Sequence, residues 1–478
     1  MRHQAYNPYL PGWEYVPDGE PHVFDGRVYV YGSHDRFNGE RFCELNYVCW
    51  SAPVDDLGDW RYEGEIFNKR QDPICTGNDR LLFAPDVAKG PDKRYYLYYA
   101  FDFAGVISVA VCDTPAGKYE FYGHVRWPDG QLLGQRQGDP FQFDPGLLAD
   151  DDGRIYLYTG FCMPNSPFPK AEHLCEDRGT MAVELEADML TVRTEPRFIA
   201  PCYANGEDTD FEGHEFFEAP SMRKLDGRYY FIYSSVNSHE LCYATSEHPM
   251  EGFRYGGTLV SNGDIFLGGA GPEEADNYTG NNHGSLVEIG GELYVFYHRH
   301  TNRNQFSRQG CAERVTILPD GSIPQAEITS CGLNGGPLEG RGEYEARIAC
   351  NLMSGRGAVL YAMDRPLGPE HPYFTQEDGP EGKPVQYIAN LTKDAVAGFK
   401  YFRFDRVRSV SVWLRGGGEG DFMVSTGVDD PAAIRIPVRP AKEWTKHTAP
   451  YAPPDGVSQL SFVFTGEGAV DFLKFELE

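Results

Sequence analysis

Alternation of apolar and polar positions, with no long helical period, organises this chain. Five times a tight turn opens onto a short run rich in Tyr, Val and Leu. The copies are Asp25-Gly26-Arg27-Val28-Tyr29-Val30-Tyr31, Pro91-Asp92-Lys93-Arg94-Tyr95-Tyr96-Leu97-Tyr98, Asp152-Gly153-Arg154-Ile155-Tyr156-Leu157-Tyr158, Asp226-Gly227-Arg228-Tyr229-Tyr230-Phe231-Ile232-Tyr233 and Gly290-Gly291-Glu292-Leu293-Tyr294-Val295-Phe296-Tyr297. An Asp-Gly or Gly-Gly pair supplies the positive φ of a hairpin turn, and an aromatic, β-branched run suits a pleated strand. Recurrence roughly every 60 to 75 residues predicts the blades of a five-bladed β-propeller.

A second repeat supports the blades. Tyr47-Val48-Cys49-Trp50-Ser51-Ala52-Pro53, Val109-Ala110-Val111-Cys112-Asp113-Thr114-Pro115 and Cys242-Tyr243-Ala244-Thr245-Ser246-Glu247-His248-Pro249 each read as a strand ending in a turn at proline. The pattern changes after Pro319-Asp320-Gly321. Turn formers crowd residues 329–337 and read as a linker. Beyond them, Ser409-Val410-Ser411-Val412-Trp413-Leu414, Gln459-Leu460-Ser461-Phe462-Val463-Phe464 and Val470-Asp471-Phe472-Leu473-Lys474-Phe475 alternate with period two. The expected class is therefore all-β: a propeller over residues 1–325 and a β-sandwich over 326–478.

An ionisable residue stands six to eight positions before each hairpin turn: Asp18, Asp86, Asp144, Glu218 and His283. In a propeller the strand before this hairpin is the innermost one, and its start opens onto the central channel. Singly, each is an ordinary solvated polar residue. At one common register, the five predict a cluster of proton-active groups at one mouth of the axis.

The net charge of −28 argues against nucleic acid and an anionic membrane as partners, and leaves neutral substrates such as sugars. Eleven cysteines, an odd number with no C-x-x-C pair, argue against a disulfide framework and a zinc site. The first residues lack the apolar run of a signal peptide, so the expected location is cytoplasmic.

Residues 1–325 resemble glycoside hydrolase family 43, whose members are five-bladed propellers that invert the anomeric centre. The resemblance rests on Asn7-Pro8-Tyr9-Leu10-Pro11-Gly12 leading to Asp18, then Phe83-Ala84-Pro85-Asp86, Phe143-Asp144-Pro145, Phe217-Glu218-Ala219-Pro220 and Asn282-His283-Gly284-Ser285. It implies that Asp18 is the general base, with Glu20 as the alternative because Asp18 is not followed by proline. It implies that Glu218 is the general acid and that Asp144 orients it and raises its pKa. Phe83, Asp86 and Phe217 become candidates for the sugar-binding wall, and His283 for contact with a calcium ion in the channel. Arg299 and Arg308 are candidates to clamp sugar hydroxyls by fork-like donation.

Residues 326–478 are similar to family 6 carbohydrate-binding modules, on Tyr344-Glu345-Ala346-Arg347-Ile348-Ala349-Cys350-Asn351-Leu352, Tyr401-Phe402-Arg403-Phe404 and Gly466-Glu467-Gly468-Ala469-Val470-Asp471-Phe472. Trp413 and Trp444 are equally candidates for core and for sugar platform. The implied activity is removal of L-arabinofuranose or xylose from plant-type polysaccharide or its oligosaccharides. The rival is a sugar-binding propeller without catalysis.

Overall fold

The computed structural model describes residues 3–478 except 76, 78, 164–176, 361–366, 380–381, 428–429 and 431–432. The five hairpin phrases nucleate five antiparallel sheets. The first holds Glu20–Phe24, Arg27–Tyr31, Tyr47–Pro53 and Arg61–Phe67; the second Asp86–Lys89, Tyr95–Ala100, Ile107–Cys112 and Glu120–His124. Gly146–Ala149, Ile155–Thr159, Thr180–Leu185 and Arg197–Ala200 form the third. Phe216–Leu225, Arg228–Ser235, Glu240–Ser246 and Arg254–Ser261 form the fourth, and Leu286–Ile289, Glu292–His300 and Arg308–Val315 the fifth.

Three of the predicted turns are two-residue hairpins with both central residues at positive φ: Asp25-Gly26, Asp226-Gly227 and Gly290-Gly291. In the second and third blades the strands instead pair Lys89 with Tyr95 and Ala149 with Ile155, leaving longer loops.

The Tyr-rich second strands are buried on both sides, so each tyrosine hydroxyl needs a partner inside the protein. Tyr31 donates to the carbonyl of Pro115 at 2.7 Å, Tyr98 to Met189 at 2.5 Å, Tyr158 to Pro249 at 3.0 Å and Tyr230 to Gly321 at 3.0 Å. Each bond reaches from one blade to the segment that follows it around the ring. The two sequence repeats thus meet, since Pro115 and Pro249 are the turns of the second one. An unpaired hydroxyl at such a position costs about 1–3 kcal/mol.

The fifth blade has three strands. Beside its outer strand runs the N-terminal segment: Tyr9 N–H donates to Gly310 O at 3.3 Å, and Asn7 exchanges side-chain bonds with Ala312 on both its N–H and its carbonyl. Near the axis neighbouring strands approach closely, both between blades and within one. A Cβ on Gly146 would run into the carbonyl of Pro220, and one on Gly284 into that of Phe296.

The remaining strands form two facing sheets. One orders Leu338–Glu339, Val396–Phe404, Gly456–Phe464, Gly420–Ser425 and Ile434–Val438; the other orders Tyr373–Glu377, Val385–Leu391, Val470–Leu477, Ser409–Gly416 and Ala441–Pro450. Phe399, Phe402, Phe462, Phe472 and Phe475 interlock between them. Trp413 and Trp444 are not core: Lys446 and Lys474 lie over Trp413, and Arg415 covers Trp444 at 4.1 Å. The sandwich docks on the propeller through Lys400, whose Nζ donates to Asp264 of the propeller at 3.3 Å and to Glu327, just past the propeller, at 3.0 Å.

Candidate active site

Asp18, Asp144 and Glu218 stand at the channel ends of the inner strands of blades one, three and four. The local backbone is unusual at each. Asp18 has φ 56°, Asp144 φ 45° and Ala219, next to Glu218, φ 64°. Non-glycine residues adopt this region at a cost, and such positions gather at functional sites. In the fourth blade the ladder also slips between Phe216 and Ser221, which re-aims Glu218.

Burial alone would raise the pKa of Asp18. The Arg308 guanidinium, donating to Asp18 Oδ1 at 2.8 Å, together with the neighbouring His298 and His283, overcomes burial and holds the carboxyl well below the usual carboxylate range. Arg308 is itself buried and also grips Asp35, with Nε 2.9 Å from Oδ2 and Nη2 3.1 Å from Oδ1. His298 completes the setting. Its Nε2 donates to Asn281 O at 2.8 Å, and its Nδ1 accepts the Asp18 backbone N–H at 3.3 Å.

Glu218 lies in the opposite regime. Burial, then the negative charge of Asp18, push its pKa up to about 8 against the pull of Arg308. Asp144 is also raised well above the usual carboxylate range, first by burial and then by its carboxylate neighbours Glu218 and Asp18; its Oδ1 is buried without a hydrogen-bond partner. One carboxylate is therefore kept ionised and two carboxyls are kept protonated within mutual electrostatic reach. That division suits paired base and acid roles.

Glu20, the alternative base, sits deeper. It pairs with Arg223 at 2.6 Å and with Ser221 at 3.1 Å, and burial pushes its pKa up to about 8. A wall of rings runs beside the two protonated carboxyls: Phe83 to Phe143 at 5.0 Å, Phe143 to Phe161 at 5.2 Å and Phe161 to Phe217 at 5.5 Å. Phe83 and Phe217 thus stand at the two ends of one row of rings, with Phe143 and Phe161 between them.

Two expected sugar contacts do not hold. Asp86 is fully buried with both oxygens taken: Oδ1 by His22 and the Val87 N–H, both at 2.6 Å, and Oδ2 by the Leu147 N–H at 2.7 Å. It ties three blades together below the mouth. Arg299 points out of the channel and donates to Ala349 O and Gln309 Oε1. Strand alternation explains the error, because His298 and His300 share the channel face of the strand and Arg299 the other. Arg308 does face the mouth, held by Asp18 and Asp35.

His283 is buried, with Nδ1 3.8 Å from Asp144 Oδ2, and burial lowers its pKa to about 4. Calcium takes six to eight oxygen ligands. Here the protein offers one nitrogen and the reluctant carboxyl of Asp144; the nearby Asp18 is bound to Arg308 and Asp86 to His22, and Arg308 and His298 are further neighbours. Among the described residues, the donor sets close enough to share an ion are Glu20, His22 and Asp86, and His214, Glu240 and Cys242; neither includes His283. The residues at His283 do not fit a calcium site of their own making, and no step below runs through one.

The sequence model of glycosyl hydrolases family 43 matches residues 16–323. A xylosidase/arabinosidase of Thermoclostridium stercorarium is 54% identical over 480 residues, covering 100% of this chain and 99% of its own. An arabinoxylan arabinofuranohydrolase of Bacillus subtilis (strain 168) is 25% identical over 505 residues, covering 95% of this chain and 88% of its own. Among solved structures, a GH43_1 enzyme from Xanthomonas citri complexed with xylose superposes with a TM-score of 0.53 at 25% identity, covering 70% of this chain and 96% of that one. The propeller that brings Asp18, Asp144 and Glu218 to one mouth accounts for nearly all of the family match, and this chain belongs to glycosyl hydrolase family 43.

Proposed function

We propose that this glycoside hydrolase releases xylose or L-arabinofuranose from plant-type oligosaccharides with inversion of configuration. The observation that carries the reading is the convergence of Asp18, bound to Arg308, and Glu218, re-aimed by the slipped ladder, at one mouth, where their surroundings push the two pKa values in opposite directions. Glu218 gives its proton to the glycosidic oxygen as the bond to the anomeric carbon breaks. A water attacks that carbon from the opposite face and loses a proton to Asp18. The step leaves Glu218 ionised and Asp18 protonated, and exchange with solvent restores both. Inversion needs the two carboxyls about 6.5–9.5 Å apart so that the water fits. Asp144, held protonated beside Glu218, keeps a second negative charge away from the acid. The pentose named in both relatives above supports the substrate class.

The test uses aryl xylosides and aryl arabinofuranosides, with the first-formed product anomer followed by NMR. Inverted product is expected; retained configuration overturns the mechanism.

The pH profile follows from the same groups. The acid must be protonated, so kcat/KM should fall as pH rises through about 8, the value to which Glu218 is pushed. The base must be ionised, and Arg308 keeps Asp18 ionised far into acid, so no acidic limb from Asp18 should appear in the ordinary carboxylate range near 4. A basic limb below 6 in the steady-state profile would contradict the assignment of Glu218.

A further inference from the structure

Arg299 is a buried cation to which no carboxylate is paired among the described residues. Its guanidinium instead lies 3.9 Å over the ring of Phe374, a sandwich residue, and donates to Ala349 O at 3.1 Å, also in the sandwich. Nη2 donates to Gln309 Oε1 at 3.0 Å, and Gln309 is the strand neighbour of Arg308. Burying a guanidinium on these terms is expensive, and a π face with carbonyls is what offsets it.

Two more connections run from the same edge strand of the sandwich to the same place. Tyr15 donates its hydroxyl to Gln376 at 2.7 Å, while its backbone carbonyl accepts the Asp35 N–H at 3.0 Å. Asp35 is the second carboxylate on Arg308. The hairpin leading into Arg308 is clamped as well: Asn302 N–H donates to Phe374 O at 2.6 Å, and Arg303 Nη2 to Leu367 O at 2.7 Å. On its other side, Ser307 accepts the Asn38 N–H at 3.0 Å.

We propose that the sandwich strand Tyr373–Glu377 is part of the support of the catalytic base, with Phe374, Arg299 and Tyr15 as positioning residues that fix Arg308 and Asp35 around Asp18. This rests on Asp18 being the base. Arg308 must divide itself between two carboxylates, which leaves little tolerance for displacement. Losing the ring beneath Arg299 frees that guanidinium to turn away from Gln309, and the start of the Arg308 strand relaxes. A shift of about 1 Å in such a constellation costs up to about 100-fold in rate. The sandwich on this view serves the chemistry even if its own faces bind no sugar.

The test compares Phe374→Leu and Tyr15→Phe, in the full chain, with Lys446→Ala on the outer sandwich face as control. Phe374→Leu keeps an apolar side chain and removes the π face; Tyr15→Phe removes one hydroxyl. Each should lower kcat about 10-fold on an aryl xyloside with KM within about twofold, and each should acquire an acidic limb moving up toward about 4. The limb belongs to Asp18, faced by Arg308 and His298 on the last two strands of blade five, His283 on its inner edge, Asp144 and Glu218 on blades three and four, and Cys43 and Tyr47 on blade one. Of these, Arg308 is tied to the sandwich contacts through Gln309, and His298 through its chain neighbour Arg299. Lys446→Ala should match wild type. If Phe374→Leu does not fold, Tyr15→Phe decides alone. Wild-type kcat and profile in the folded variants overturn the inference. Asp18→Asn, run alongside, separates the two claims: substantial activity there overturns the base assignment itself, whereas an inactive Asp18→Asn beside unaffected interface variants overturns only the role of the sandwich.

Discussion

Asp18→Asn should lower kcat/KM by about 10²–10⁴-fold with the fold intact, the range that general base catalysis contributes. Asparagine has nearly the same shape and still accepts a bond from Arg308, so the backbone at this left-handed position is preserved. What it removes is the site that takes the proton from water. The loss should hold for good and poor leaving groups alike, because the attacking water is needed in both. A second consequence distinguishes this variant from a merely damaged enzyme. The charge of Asp18 helps to raise the Glu218 pKa, so the residual activity should show its basic limb below about 8. Steady-state kinetics across pH measure both effects. Activity near wild type would remove Asp18 from the role.

Glu218→Gln should lose about 10²–10⁴-fold on unactivated oligosaccharides, equivalent to about 3–5 kcal/mol of barrier. The loss should shrink sharply with a dinitrophenyl leaving group, which departs without a proton. The limb near 8 should disappear, since the group that titrates there is gone. An equal loss on both substrates would mean that Glu218 acts on something other than the leaving oxygen.

The ring of blades was legible because each blade carries its own local signal. A turn with positive φ followed by a strand rich in tyrosine is written within about ten residues. The three acids were legible for a related reason: their register to those turns repeats, and their neighbours match a family pattern. Contacts made across the ring had no such signal. Asp86 shares the register of the acids, yet His22 from the preceding blade and Leu147 from the following one close around it. Asp35 looks like any polar residue after a strand until Arg308, far along the chain, needs a second carboxylate. Arg299 and His298 differ by one position, and a one-residue step reverses the face of a strand. The last blade was the hardest to read, because the segment beside its outer strand comes from the opposite end of the domain.

That arrangement sets an order of events during synthesis. Residues 7–9 leave the ribosome well before the groups that hold them: Gly310, Ala312 and Ser330 emerge more than three hundred residues later. Four blades can dock in sequence while the nascent chain lengthens. The circle itself stays open until its two extremes meet, and only then does Tyr9 lock against the strand that starts at Arg308. Truncating the first dozen residues should therefore cost more than its length suggests, for it would leave the catalytic face without its clasp.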